Sequence, residues 1–384
     1  MTFRFSLGIA ALAALSLGAA RPTLAQQAPV RPQLAADADT ADWRAYYAWG
    51  IKHLTSETDG AAHAFYWAGR LNPLAAEPLF AQYVAGWLAE PDLYQRARDG
   101  DRKALDSDLA RRLNTLYGRA LDRDPMVNQQ FERLLDDRVV NNEANNLEYS
   151  DDPLTQGMLA YGAGDFRRAV TVLGRATHYS RIHARYVRAL AHYALAEYDS
   201  AAGDLTAVLG ELQRAEQGGA LTSVAATKGV YGVALGNVYR KAGKLDLARE
   251  AYRNALSEDV SLAAAHVALA DLALVAGDPA TATQEYGQAV DLRPSDGGLR
   301  SRFGDALRAS GDLAGAAAQY RKAIELEPYF FVSYLNLGTV LDKQQKRDEA
   351  AAAYMQFLAR APKAFGPQIA AVQKRLGGAP AGAQ

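Results

Sequence analysis

Shifting the C-terminal half of the chain against itself by 34 residues brings several columns into register. Ala248, Ala282, Ala316 and Ala350 fall 34 apart, as do Tyr252, Tyr286, Tyr320 and Tyr354. Leu235, Leu269, Phe303 and Leu337 keep the same step, each followed by a small residue: Gly236, Ala270, Gly304 and Gly338. Gly243, Gly277 and Gly311 recur in phase until Gln345 breaks the series. Pro294, Pro328 and Pro362 close three of the units, with Val260 in that place in the first. Independent columns in one register mean one supersecondary unit used repeatedly, and such a unit buries its apolar face only against its neighbours. By length alone, 384 residues would hold two or three ordinary domains; a repeat array fills the same length as one stack.

One unit shows the local physics. Apolar and small residues from Gly297 to Ser310 predict a helix that breaks at Gly311-Asp312. A second helix, from Leu313 to Leu326, carries Ala316, Tyr320 and Ala323 on one face, at spacings of four and three. Ala316 and Gly304 are small where two helices must approach, and Tyr320 is the large side chain that fills the space beside them. Gly311 supplies the backbone freedom for a tight turn. Glu327-Pro328 stops the second helix, because a residue before proline disfavours the helical region.

These columns resemble the tetratricopeptide repeat family. Leu235-Gly236, Ala248, Tyr252 and Ala255 match its pattern, as do Phe303-Gly304, Ala316, Tyr320, Ala323 and Pro328. The resemblance covers about 229–364. It departs at Phe357, where the family prefers alanine, and a loosened last packing layer is expected there. The fold class implied is all-α: an α-solenoid of antiparallel helical hairpins, the superhelix of that family.

Upstream the pattern persists in degraded form. Gly157, Gly164, Ala169, Leu173 and Ala176 hold the internal offsets, beginning at Pro153; the next turn, at Ala196, lands 32 residues after Gly164 rather than 34. An irregular join is expected from Leu209 to Lys228, around Gly218-Gly219. Ala61, Phe65, Ala68 and Pro73 reproduce the second-helix columns, and so do Tyr117, Ala120 and Pro125, with an insertion from Glu90 to Asp108 between them. The chain divides accordingly into a leader (1–25), a flexible linker (26–42), diverged hairpins (43–150), degenerate units with the join (151–228), four regular units (229–364), and a capping helix with a disordered tail (365–384).

The leader reads as a secretory signal peptide. Arg4 precedes an apolar run from Phe5 to Ala20, and small residues at Thr23-Leu24-Ala25 offer a cleavage point. The run is shorter than the ~20 residues that span a bilayer, and Arg21-Pro22 follow it. A periplasmic or secreted location is expected, with no stable membrane insertion after cleavage. Losing Arg4 and Arg21 leaves 40 basic against 43 acidic residues, a formal charge of −3. That near-neutral balance supplies no global field for nucleic acid or an anionic membrane. With 49% hydrophobic and 22% charged residues the composition is globular, which argues against wholesale disorder. The absence of cysteine excludes disulfides, thiolate catalysis and Cys-ligated zinc.

The search for chemistry finds no phosphate-binding loop, no HExxH and no GxSxG. Gly162-Ala163-Gly164 sits at a repeat turn with no preceding strand, so it is read as a turn and not a dinucleotide loop. His178 and His183 are five apart and His192 nine further on, whereas a metal site on one helix face wants three or four. His53 and His63, ten apart across a turn, are read the same way. Asp152 is placed to cap a helix starting near Pro153. The polar stretch 139–152, with Asn141, Asn142, Asn145 and Asn146, is read as a solvated loop. Trp43, Tyr46 and Tyr47 fall near one helix face and are read as N-terminal core. No cofactor or metal is expected.

The resemblance implies that the first helix of each unit lines a concave face where a partner protein or peptide binds. It proposes Asn237, Arg240, Lys241, Asp271, Arg302, Asp305, Arg308, Asn336 and Asp342 as inward-facing polar positions. Spacing supports part of this, since Asn237 and Lys241 are four apart and project to one face. Arg302 and Asp305, three apart, are spaced to pair with each other. Asn237 and Arg302 match two positions of the family's carboxylate clamp, but Val233, Ala268 and Gly298 stand where the other clamp residues would be, so that clamp is not expected. Val230, Val233, Val267 and Leu274 add an amphipathic character suited to a protein surface. The reading is a non-enzymatic interaction scaffold exported to the cell envelope. Its alternatives are a subunit of an envelope assembly for polysaccharide export or outer-membrane biogenesis, and an enzyme with an unrecognised site in 43–150.

Overall fold

A computed structural model describes residues 28–127, 151–176, 181–218 and 227–377. The leader, most of the asparagine-rich stretch and His178 lie outside the described residues. Helices account for most of what is described, and no strand occurs among the described residues. In chain order they are α1 (Trp43–His53), α2 (Thr58–Leu71), α3 (Glu77–Ala89), α4 (Pro91–Arg98), α5 (Arg102–Leu105), α6 (Asp108–Arg123), α7 (Pro153–Gly162), α8 (Phe166–Leu173) and α9 (Arg181–Ala194). There follow α10 (Tyr198–Gln217), α11 (Lys228–Lys241), α12 (Leu245–Glu258), α13 (Ala263–Val275), α14 (Pro279–Leu292), α15 (Gly297–Ser310), α16 (Leu313–Leu326), α17 (Phe331–Lys343), α18 (Arg347–Leu358) and α19 (Gly366–Arg375).

Aspartates start many of them. Asp152 accepts from Thr155 N at 3.0 Å, Asp278 from Thr281 N at 3.0 Å, Asp296 from Leu299 N at 3.0 Å and Asp312 from Gly315 N at 2.8 Å. Each satisfies one of the backbone donors that a helix start leaves open. Into the join expected at 209–228, α10 runs unbroken to Gln217 and buries Leu205, Val208 and Leu212; residues 219–226 of it lie outside the described residues. Residues 90–108, expected as an insertion, hold the two short helices α4 and α5.

The described residues divide into two compact units. One takes residues 28–31, Leu54–His63 and the described part of Leu79–Asp259; the other takes Pro32–His53, Ala64–Pro78 and residues 260–377. In the first, α7 pairs with α8, α9 with α10, and α11 with α12, and successive pairs also touch through α8 with α9 and α10 with α11. Their shared core holds Tyr161, Leu173, Tyr186, Leu190, Leu205, Tyr231 and Val238. In the second, the pairs are α13 with α14, α15 with α16 and α17 with α18, joined by α14 with α15 and α16 with α17.

A single contact repeats inside these hairpins. Tyr252, Tyr286, Tyr320 and Tyr354 are all buried, the second and third at 1% and 0% exposure. A Cβ on Gly304 would lie 2.6 Å from the Tyr320 ring, and one on Gly338 would lie 2.6 Å from the Tyr354 ring. Gly236 stands against Tyr252 in the same way. The ring occupies the notch left by the missing side chain, as the spacing of these columns predicts. Truncating such a ring would cost about 3–5 kcal/mol in lost burial and residual cavity.

The second unit also contains Pro32–His53 and Ala64–Pro78. Tyr46, Trp67, Ala68 and Leu71 form a buried cluster with Leu34, Trp43, Tyr47, Tyr66 and Tyr329 around it. Trp67 meets Tyr329 edge-on at 5.0 Å, and Arg70 Nη1 lies 2.9 Å from Glu327. Asp39 accepts from the backbone N–H of Lys363 at 2.6 Å, a contact across 324 residues of chain. The segment expected as a flexible linker thus has fixed contacts at Leu34 and Asp39. At the far end, Phe357 is 0% exposed. It packs at 6.1 Å from Phe331, which meets Phe365 edge-on at 4.7 Å. The last layer is therefore filled rather than loosened, because these neighbouring rings take up the larger side chain.

The turns inside the hairpins are left-handed. Gly164, Gly243, Gly277 and Gly311 have φ between 74° and 91°, and Ala196 and Gln345 hold the same region at 59° and 63°. A side chain there crowds its own backbone, by roughly 1–2 kcal/mol. Gln345→Gly and Ala196→Gly are therefore expected to stabilise the protein by about 0.5–1 kcal/mol each, once glycine's greater unfolded-state freedom is subtracted. Denaturant melts should show higher midpoints; unchanged or lower ones would contradict the assigned turns.

Candidate partner-binding surface on the first helices

The tyrosines that pack the hairpins deliver their hydroxyls to a column of polar residues one place beyond the small-residue column. In the first unit, Tyr252 OH donates to Asn237 Oδ1 at 2.7 Å. In the second, Tyr286 OH donates to Asp271, and Tyr320 OH donates to Asp305 Oδ1 at 2.7 Å. Donor and acceptor stand 15 residues apart in each case, so the 34-residue repeat copies the bond with the helices. On α17 the column holds Thr339, its hydroxyl donating instead to the Leu335 carbonyl at 2.9 Å. Tyr354 OH reaches Asp342, three places on, at 3.4 Å.

A second layer of bonds links one first helix to the next within the second unit. Arg302 Nη1 donates to Asp271 Oδ2 at 3.0 Å, and Asn336 Nδ2 donates to Asp305 Oδ1 at 2.9 Å. Arg302 therefore spans from α15 to α13 and does not pair with Asp305, the partner its spacing offered. Arg308 lies 3.6 Å from Asp305 one turn along the same helix. Arg375 of α19 grips Asp342 through two bonds, Nε to Oδ2 at 2.7 Å and Nη2 to Oδ1 at 2.8 Å.

Of the nine expected positions, Asn237 is buried, while Asp271, Arg302, Asp305, Arg308, Asn336 and Asp342 are half-buried and tied to one another or to tyrosines. Arg240 and Lys241 are exposed on α11. The tyrosine hydroxyls were missed as part of this surface, although the recurrent offset of 15 is readable in the repeat.

Burial shapes the electrostatics. It pushes the Asp305 carboxyl above the ordinary carboxylate range, against the opposing pull of Tyr320 and Arg308. Burial also raises the Tyr286 and Tyr320 phenols, with the adjoining carboxylates adding to the effect. Asp342 goes the other way, because the hydrogen bonds from Arg375 favour its charged form. His183 is held neutral by burial. His192 Nδ1 lies 2.7 Å from Glu197 and His266 Nδ1 2.7 Å from Glu285. Among the described residues, no three His, Asp or Glu side chains gather closely enough to share a metal ion, and no helix is long and apolar enough to cross a membrane.

Family models described as tetratricopeptide repeat match residues 154–216 and 233–297, and another so described matches 332–364. A model described as TPR repeat matches 304–345. No curated protein matches the chain. Among solved structures, the C-terminal part of a TPR repeat-containing protein from Cytophaga hutchinsonii is 19% identical, with 57% of this chain and 84% of that one covered at a TM-score of 0.47. A MamA protein is 18% identical over 47% of this chain and 92% of its own, at a TM-score of 0.41. YrrB, described as a TPR protein with an unusual peptide-binding site, is 19% identical over 49% and 90%, at a TM-score of 0.41.

Two pH responses follow. Asp305 has a folded-state pKa above its unfolded value, so its charge opposes folding near neutrality and the opposition fades as acid protonates it. Asp305→Asn, which keeps the acceptor for Tyr320, should melt higher than the parent at pH 7, with the gap closing below about pH 4. A lower melting point at pH 7 would contradict the burial argument. Asp342, depressed by Arg375, contributes docking of α19 that is present above the ordinary carboxylate range and lost as pH falls through its lower folded value. Arg375→Ala should therefore speed amide exchange in 366–375 at neutral pH, and the parent should approach the variant only in strong acid.

Proposed function

Because this chain belongs to the tetratricopeptide repeat family, we propose that it is a non-enzymatic scaffold, exported to the cell envelope, which binds a partner protein or peptide on the first helices of its repeats. The observation that carries this reading is the ordered polar column. Asn237, Asp271 and Asp305 recur at one place on successive first helices, each held by a tyrosine from below, and Arg302 and Asn336 bridge one helix to the next. Side chains fixed in advance lose little freedom when a partner arrives, which is the usual way a modest surface gains affinity. Arg240 and Lys241, exposed at the end of α11, supply adaptable charge beside it. Val267 and Leu274 add the apolar component that an amphipathic partner requires. The leader supports the envelope location: its charged head, short apolar run and small-residue site have the proportions of a cleaved export signal.

Site-specific photocrosslinking in the native host tests the partner surface. A photoreactive residue at Lys241 or Arg308 should yield a discrete adduct with a second protein, while the same residue at Arg253, exposed on the second helix α12, should yield little. Equal labelling from Arg253, or none from the first-helix positions, would remove this surface from consideration. Fusing alkaline phosphatase after the leader tests the address independently: activity is expected only with residues 1–25 present.

A further inference from the structure

Residues Asp124, Pro125, Met126 and Val127 follow α6 in a tight turn. Val127 N donates to the Asp124 carbonyl at 3.0 Å, and Met126 N donates to Asp124 Oδ1 at 2.9 Å. Aspartate first and proline second are the residues such a turn favours, the one capping it and the other presetting its φ. Turns of this kind ordinarily sit in water. This one does not: Met126 and Val127 are only 3% and 4% exposed, and Met126 belongs to the buried cluster of Tyr161, Tyr186, Leu190, Tyr231 and Leu235.

Two of its polar contacts come from the first helices of two different hairpins. Tyr186 OH, on α9, donates to the Pro125 carbonyl at 2.7 Å. Asn237 Nδ2, on α11, donates to Asp124 Oδ1 at 3.0 Å while its own Oδ1 accepts from Tyr252. These bonds reach across 61 and 113 residues of sequence, so nothing local demands them. Unlike Asp271 and Asp305 in its column, Asn237 carries an amide donor as well as an acceptor, and that donor is spent on Asp124. Between them, α9 and α11 hold a carboxylate and a proline carbonyl of the turn, while the surrounding cluster buries its unbranched apolar side chain. Methionine suits the last role because its unbranched, flexible side chain adapts to an imperfect socket.

We propose that the α9–α11 surface is a receptor for an Asp-Pro-apolar turn, that Asp124–Val127 is its resident occupant, and that a partner protein presenting the same turn displaces it. This rests on the scaffold reading above and specifies the chemistry of the partner. A tethered occupant lowers the apparent affinity for a competitor in proportion to the fraction of molecules left open.

The test uses the full mature chain and a fluorescein-labelled peptide of residues 118–127 (GRALDRDPMV), read by anisotropy. The double variant Asp124→Ala, Met126→Ser frees the surface and should bind the peptide about tenfold or more tighter than the parent. Adding Tyr186→Phe with Asn237→Ala should abolish that gain, and a peptide altered at the same Asp and Met should not bind. A double variant that melts cooperatively yet binds no better than the parent would overturn the proposal. Loss of the cooperative melt would do the same, by making the turn a folding element. Concentration-dependent dimerisation of the double variant, reversed by the peptide, would assign the surface to a second copy and overturn the partner. Crosslinking from Lys241 that persists through any of these failures would leave the scaffold reading standing.

Discussion

A tyrosine ring lying in the notch where a glycine lacks its Cβ is the contact on which the rest of this structure depends. The ring body sets how closely the two helices of a hairpin approach, at Gly304 against Tyr320 and at Gly338 against Tyr354. Its hydroxyl emerges on the other side, within reach of the next residue on the first helix. One side chain therefore does two jobs, packing the hairpin and fixing a polar group at its surface. The coupling is geometric, since a phenol is rigid and its tip cannot move unless its body does.

The polar surface inherits its order from that coupling. Asp271 and Asp305 are each held from below by a tyrosine and from the side by a residue of the following first helix. Half-buried carboxylates with several donors keep their geometry at the cost of some desolvation, which is why Asp305 is shifted upward. Where the column changes to Thr339, the pattern adjusts without collapsing. The hydroxyl of Tyr354 moves on to Asp342, which Arg375 of α19 also grips.

Part of the chain already uses the surface that the repeats create. Within the first unit, the Asp124–Val127 turn takes up donors from α9 and α11. Within the second, residues 34–53 and 64–74 contribute Asp39, Trp67 and Arg70 to the neighbourhood of Lys363, Tyr329 and Glu327. Stacked hairpins present long, regular faces of partly apolar character, and such faces bind whatever complementary segment lies within reach. Intramolecular segments have the advantage of high effective concentration.

How much of this was legible in the sequence follows from the range of each interaction. Helix identity, hairpin pairing and the small-against-large packing were readable because they repeat every 34 residues, and a pattern copied in register exposes its own geometry. The capping role of Asp152 was readable because it acts over three residues. The loosened last layer expected at Phe357 was misjudged, since a family preference for alanine carries no information about the rings of Phe331 and Phe365 that surround it here. Likewise the pairing of Arg302 with Asp271 rather than Asp305 depended on which neighbour the helix stack brought nearer. That the chain forms paired helices leaning on one another is written in its residues, because 3.6-residue periodicity and close-approach residues act locally. The meeting of Asn237 with Asp124 and of Asp39 with Lys363 arises only on folding, because contacts made once, between segments that share no period, leave no trace in the pattern of either.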